Sequence, residues 1–332
     1  MSERFENLVP LAVTCRGTKL CQKSLVQHIE TLDADNTPYL TTMMKTRPPR
    51  KPDWLKVRFP AGPNYARIDR LHREQGLHSV CRSAACPNQG ECWEQGTATF
   101  MILGNHCTRD CRFCNVSHQA PLAVDPQEPA KVAQAIAELG LKHAVITSVT
   151  RDDLADGGAS QFAALTRAIH ESSPKCRVEL LIPDLQGNHE ALGLILAAKP
   201  EVLGHNLETV PRLYAEARAG ADYQRSLRLL AASKETAADI PTKSGIMLGM
   251  GETMAEVLEV MKDLHLAGCT MLTLGQYLQP TRDHLAVTRY VDPEEFNELR
   301  REGLQIGFSH VEAGPLVRSS YHAAEQFEGG QS

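Results

Sequence analysis

The sequence predicts an α/β fold, a partial (β/α) barrel of about six βα units with N-terminal and C-terminal extensions. Three observations lead there. Apolar runs of strand length recur at intervals of about 25–40 residues from residue 97 onward. Helix-period patterns fill most of the intervals. Polar residues gather directly after several runs, at 150–153, 206–208, 249–252 and Gln276, where barrels build active sites. A doubly wound open sheet is the competing arrangement.

Residues 1–60 have weak periodicity and read as an N-terminal extension. Within them, residues 45–53 (KTRPPRKPD) join basic charge to three prolines and read as an extended arm. Such an arm is either a solvated linker or a strap over the catalytic domain or a partner. Residues 61–96 form a cysteine-bearing segment, and residues 97–310 the barrel core. Strands are expected at 97–103, 143–149, 177–182, 201–205, 244–248, 271–274 and 305–309. Helices are expected at 129–139, 160–171, 189–198, 252–267 and 293–302. Six or seven units are few for a closed eight-fold barrel. Residues 311–332 close the chain as a C-terminal segment.

Composition narrows the function classes. The 332 residues are 42% hydrophobic and 23% charged, which excludes a mostly disordered chain. The net charge of -5 offers no basic excess for nucleic acid, and 5% aromatics leave few rings for base stacking. No run of 18 apolar residues predicts a membrane span. The first residues lack a basic stretch followed by an apolar one, so a cytoplasmic location is expected. In a reducing compartment, cysteines are metal ligands or catalytic groups before they are disulfides.

Six of the ten cysteines fall between Cys81 and Cys114, in two triplets. Cys81, Cys86 and Cys92 read C-x4-C-x5-C; Cys107, Cys111 and Cys114 read C-x3-C-x2-C. Cys176 and Cys269 sit near apolar segments and read as buried small hydrophobes, and Cys15 and Cys21 lie in the extension. The second triplet follows the first expected barrel strand. Three thiolates can hold three irons of a four-iron, four-sulfur cluster and leave the fourth iron open. Zinc would need a fourth ligand, which His106 or His118 could supply.

The string CTRDCRFC at 107–114 resembles the signature of the radical S-adenosylmethionine enzymes. That resemblance implies that Cys107, Cys111 and Cys114 hold a 4Fe-4S cluster whose open iron binds S-adenosylmethionine, with Phe113 beside the adenine. Four further strings resemble the lipoyl synthase family from about residue 60 to residue 323. They are CRSAACPNQGECW at 81–93; TSVTRDDLADGG at 147–158; HNLET at 205–209 with KSGIMLGMGE at 243–252; and RSSY at 318–321. The resemblance implies a second 4Fe-4S cluster on Cys81, Cys86, Cys92 and one serine of the last string. Ser320, next to Tyr321, is favoured, with Ser319 as the alternative; neighbours in an extended segment face opposite ways, so only one should bind. It further implies sulfur insertion at carbons 6 and 8 of an octanoyl chain on a carrier lysine, with the second cluster as sulfur donor.

Phe113, Ser148, Asn206, Glu208 and Lys243 are expected in or beside the S-adenosylmethionine pocket, since they follow or lie in successive strands. The implied partners are lipoyl carrier domains of 2-oxoacid dehydrogenases and the glycine cleavage H protein, with flavodoxin or ferredoxin as electron donor. Blander roles stand beside these. Asp152, Asp153 and Asp156 could cap the helix near Ser160. Gly249 and Gly251 could be turn glycines, and His310 and His322 surface or supporting residues. A biotin synthase-type sulfur-inserting enzyme and a non-catalytic zinc protein are the alternatives.

Overall fold

The computed structural model describes residues 50–57 and 60–329; Cys15, Cys21 and most of the basic arm lie outside the described residues. The elements are α1 Pro63–Glu74, β1 His78–Ser79, α2 Val80–Ser83, α3 Gln89–Glu94, β2 Thr99–Ile102, α4 Glu128–Leu139 and β3 His143–Ser148. Then come α5 Ala159–Ser172, β4 Arg177–Leu181, α6 His189–Ala197, β5 Val202–Gly204, α7 Tyr214–Ala217 and α8 Tyr223–Thr236. The chain continues with β6 Thr242–Leu248, α9 Met254–Leu266, β7 Met271–Gln276, α10 Pro293–Ile306, β8 His310–Gly314 and α11 Ala323–Gly329.

All eight strands form one sheet in sequence order. β2 to β8 pair in parallel, and β1 adds antiparallel to β2. Sequential order has no switch point, which removes the doubly wound alternative. The sheet is open rather than closed, so the structure is a partial barrel. The strands are buried on both faces, as a sheet covered by helices outside and side chains inside requires; β2 is buried throughout. Phe162, Leu165 and Ile169 of α5 belong to one core cluster with Ile146 and Leu180. Val257, Val260, Phe296 and Leu299 of α9 and α10 belong to a second with Leu272 and Leu274.

Caps explain where the helices begin and end. Thr253 and Asp292 make capping boxes with Glu256 and Glu295. Gly307 ends α10 at φ 119°, a conformation that suits glycine. That helix corrects the expected strand at 305–309. Phe296, Leu299 and Gly303 continue a buried helical stripe, so the short apolar run after it is helix end and turn. The strand lies one step later, at β8. Cys176 and Cys269 are buried, as expected of small hydrophobes. No helix among the described residues is long and apolar enough to cross a membrane.

Candidate active site

The loop after β2 carries the second cysteine triplet and is tied to its neighbours by backbone hydrogen bonds. Cys107 N donates to Ser117 O at 2.7 Å, closing the loop on itself. Thr108 N reaches Thr150 O at the end of β3, and Arg112 N reaches Ala217 O of α7. Leu285 N, from the loop after β7, donates to Arg112 O. His284 Nε2 donates to the Cys114 carbonyl at 3.0 Å. Strand ends far apart in sequence thus converge on eight residues.

Arg109, inside the cysteine string, anchors this convergence. Its guanidinium donates to Asp152 at 2.7 and 2.8 Å and to Asp184 at 3.0 and 2.6 Å. Arg225 joins on the far side of Asp184 at 2.9 Å. Burial opposes both charges, yet the Arg109 hydrogen bonds and charge hold the Asp184 carboxyl well below the usual range. Asp152 is therefore an ion-pair partner, and Asp153 pairs with Arg151. Only Asp156 supports the start of α5, accepting from Gly158 N and Ser160 N.

The donor set fits an iron–sulfur cluster. The Cys107 sulfur accepts the backbone N–H of Arg109 at 3.5 Å and of Thr150 at 3.3 Å. Burial pushes Cys111 up to about 12 and Cys114 up to about 11, so without iron these are thiols, and metal binding displaces protons. Among the described residues, no three His, Cys, Asp or Glu side chains converge on the position of one metal ion. Zinc needs sulfurs about 2.3 Å from a single centre, whereas an iron cube gives each thiolate its own iron. The zinc alternative is therefore not favoured.

The first triplet sits on α2 and α3. Ser79 caps α2 by accepting Cys81 N and fixes the segment to β2 through its bond to Thr99 O. Cys86 N returns to Cys81 O, and Cys92 N to Asn88 O. Trp93, fully buried, stacks near Tyr65 and His72 and holds this segment down. Burial, then the neighbouring Cys81 and Cys86, push Cys92 up to about 12.

The C-terminal segment returns to this triplet. Asn88 Nδ2 donates to Leu316 O at 2.6 Å and Tyr321 OH to Glu91 at 3.3 Å. A Cβ on Gly275 would collide with the Val317 carbonyl, so the close approach of segment and β7 requires glycine there. The serines are not in an extended run, as expected, but in a turn closed by Tyr321 N to Arg318 O at 2.9 Å. Ser319 Oγ accepts from Asn206 Nδ2 at 2.7 Å; among the described residues Ser320 has no side-chain hydrogen-bond partner.

A cavity of about 430 Å³ lies between these parts. Cys81, Cys86, Cys114, Phe113 and the two serines all line it, with Asn206 and Glu208. Asn206 also donates to Glu208 at 3.1 Å, and burial raises the Glu208 carboxyl despite nearby Arg218. Ser148 ends β3 with a buried hydroxyl that has no partner among the described residues, and it does not line this cavity.

Lys243 stands apart from the other residues expected at the pocket. It is the second residue of β6, at the end of the strand away from the cysteine loop. Its ammonium lies 2.7 Å from Glu179, which also accepts from His143 at 3.2 Å, and all three are buried. It does not line the cavity. Sequence reasoning missed Arg109, Asp184, Arg225, Arg218 and Arg318. Two of them carried a signal, Arg109 by its place between two cysteines and Arg318 by its place in the string RSSY. Arg318 is desolvated between Cys86 and Glu208, and its guanidinium donates to the Val317 carbonyl at 2.6 Å.

Known proteins bear on this site directly. A family model described as the Radical SAM superfamily matches residues 101–264. A second, the N-terminal domain of lipoyl synthase of that family, matches residues 28–86. The lipoyl synthase of Methylococcus capsulatus is 58% identical over 280 residues, covering 84% of this chain and 87% of that protein. The one from Cronobacter sakazakii is 55% identical over 282 residues, covering 84% and 88%. The solved FeFe-hydrogenase maturase HydG of Carboxydothermus hydrogenoformans shares the fold, at TM-score 0.50 and 15% identity, covering 80% of this chain and 77% of that one. At more than half identity over most of both lengths, the chain belongs to the lipoyl synthase family of the radical S-adenosylmethionine superfamily.

Proposed function

We propose that this chain inserts two sulfur atoms, at carbons 6 and 8, into an octanoyl chain on a lysine of a lipoyl carrier domain. Family membership supports the reaction class, a 4Fe-4S cluster, S-adenosylmethionine and a lipoyl carrier substrate. The observation that carries the reading is one cavity lined by Cys81 and Cys86 of the first triplet, Cys114 of the second and both serines of the turn. Cys107, Cys111 and Cys114 would hold the first cluster. With S-adenosylmethionine bound, that cluster supplies a deoxyadenosyl radical able to take hydrogen from unactivated carbon. Phe113, Asn206 and Glu208 would orient the cofactor at the cavity wall. Ser148, just outside that wall, would support it from the end of β3.

Cys81, Cys86, Cys92 and Ser320 would hold a second 4Fe-4S cluster, which supplies the sulfur. A serine oxygen is a harder and weaker iron partner than a thiolate, which suits an iron that must be released. The apolar part of the lining, Val80, Ile246 and Met247 among it, suits an alkyl chain and keeps water from the radical. The specific carriers proposed are 2-oxoacid dehydrogenase acyltransferase subunits and the glycine cleavage H protein, with flavodoxin or ferredoxin as reductant. The setting proposed is the reducing cytoplasm, where the two triplets stay available as cluster ligands and Cys176 and Cys269 stay reduced.

The test separates the two triplets. Enzyme rebuilt with heavy sulfide is given octanoyl-lysine peptide, S-adenosylmethionine and dithionite for one turnover. Heavy sulfur is expected at both positions. Alanine at Cys81, Cys86 or Cys92 is expected to leave slow deoxyadenosine formation and abolish sulfur insertion. Alanine at all of Cys107, Cys111 and Cys114 is expected to abolish both. Unlabelled product at full yield would sink the reading.

A further inference from the structure

The basic arm is the sequence feature that this reaction leaves unused, and its described end borders the cavity. Lys51 is exposed and lines the mouth. Arg50 is exposed beside it, and neither has an ion-pair partner among the described residues. Three residues on, Trp54 is 43% exposed while buried Leu55 pins the short turn Asp53–Leu55. The loop after β7 contributes Leu278, Gln279 and Pro280 to the lining. It then turns through exposed Arg282, likewise without an ion pair.

The nearby acids do not cancel this charge. Asp53 is taken by Lys56, and Glu208 lies buried in the cavity. Asp283, exposed beside Arg282, is the one free acid named on this loop. The mouth is thus positive on a chain of net charge -5.

We propose that this rim docks an acidic face of the carrier domain around its octanoyl-lysine. The inference rests on the sulfur-insertion reading above. An extended octanoyl-lysine spans about 16 Å from Cα to its end, at roughly 3.6 Å per three bonds. The body of the carrier must therefore stop at the mouth while its chain enters, and its surface meets the rim. Unpaired rim charges raise the encounter rate with an oppositely charged partner more than they deepen the final contact. An exposed tryptophan beside arginine is the pairing that anchors protein interfaces.

The test uses Arg50→Glu/Arg282→Glu, two positions that do not line the cavity, with dithionite as reductant so that electron-donor docking is not read. The substrates are an octanoylated carrier domain and a short octanoyl-lysine peptide without acidic residues. For the carrier, the single-turnover rate at limiting carrier is expected to fall about tenfold at low salt through a higher half-saturating carrier concentration, with the rate at saturation unchanged. Added salt should erase most of the difference between the variant and the unaltered enzyme. Arg50→Lys/Arg282→Lys should keep carrier kinetics, and the peptide should be turned over equally by all three proteins. Unchanged carrier kinetics in the charge-reversed variant would overturn the proposal. So would an equal loss on the peptide, or a loss seen only when flavodoxin replaces dithionite. A peptide that gains no sulfur even with the unaltered enzyme would overturn the sulfur-insertion reading, and the docking inference with it.

Discussion

Lys243 points into the barrel, but its ammonium meets Glu179 at 2.7 Å, beneath the cavity rather than in it. Burial opposes the Glu179 charge, and Lys243 and His143 overcome it, holding the carboxyl below its usual range. Removing one partner of a buried pair leaves an uncompensated charge. Lys243→Met is therefore expected to destabilise the fold by about 3–5 kcal/mol. Lys243→Met/Glu179→Leu should recover most of that in urea unfolding, and its S-adenosylmethionine Kd should match that of the unaltered enzyme. A tenfold weaker Kd in the stable double variant would return Lys243 to the pocket. His205 gives a pH signature. Burial, then Arg218, lower it to about 3. Its Nδ1–H donates to Ile182 O, and Nε2 accepts from Ser226, which fixes the neutral ring. The unfolded chain takes up this proton near pH 6.5, so the stability it contributes is full above that value and falls as pH drops. The unfolding free energy between about pH 7.5 and 5.5 should lose up to about 1.4 kcal/mol per pH unit more in the unaltered enzyme than in His205→Gln.

At the scale of elements, the connection from β8 to α11 decides which serine is available. Its turn at Arg318–Tyr321 aims Ser319 at Asn206, and a Cβ on Gly245 would press on both. Ser320, without a side-chain partner among the described residues, lines the same cavity as Cys81 and Cys86. Ser320→Ala is thus expected to lose roughly half of the bound iron, and Ser319→Ala to keep it, by iron analysis and Mössbauer spectroscopy. Iron retained in full by Ser320→Ala and halved in Ser319→Ala would exchange the two roles. The string RSSY was legible as a unit, but its turn was not. Four polar residues carry no periodicity, and the bend comes from Val317 seated on Gly275 and Tyr321 held by Glu91.

For the molecule as a whole, α11 links the base of the barrel to the cluster segment. Phe327 packs with Val202 and Met271, and Arg177 lies 4.8 Å from its ring centre. Gln326 Nε2 donates to Tyr321 O at 2.6 Å, just after the serines. Ending the chain after His322 removes this anchor. Losing the buried phenylalanine alone costs about 3–5 kcal/mol, which lowers Tm by roughly 4–7 °C in a chain of this size. The shortened enzyme is also expected to lose the iron of the second cluster while still cleaving S-adenosylmethionine, as read by iron content and deoxyadenosine yield. Sulfur insertion at the normal rate by the shortened enzyme would show that the segment needs no anchor.

The sequence by itself determined the alternation of strands and helices and the two cysteine triplets, because both are written in local spacing. Periods of 2 and 3.6 reflect which face is buried, and ligands on one loop must be near in sequence. It also placed Phe113, Asn206 and Glu208 at strand ends, where the structure finds them at one cavity. Tertiary structure alone decided the rest. The height of Lys243 along its strand depends on register with β5 and β7. Arg109 meets Asp184 across 75 residues, and Asn88 meets Leu316 across 228. No local pattern encodes such pairs, because the chain between them contributes only the geometry that brings them together.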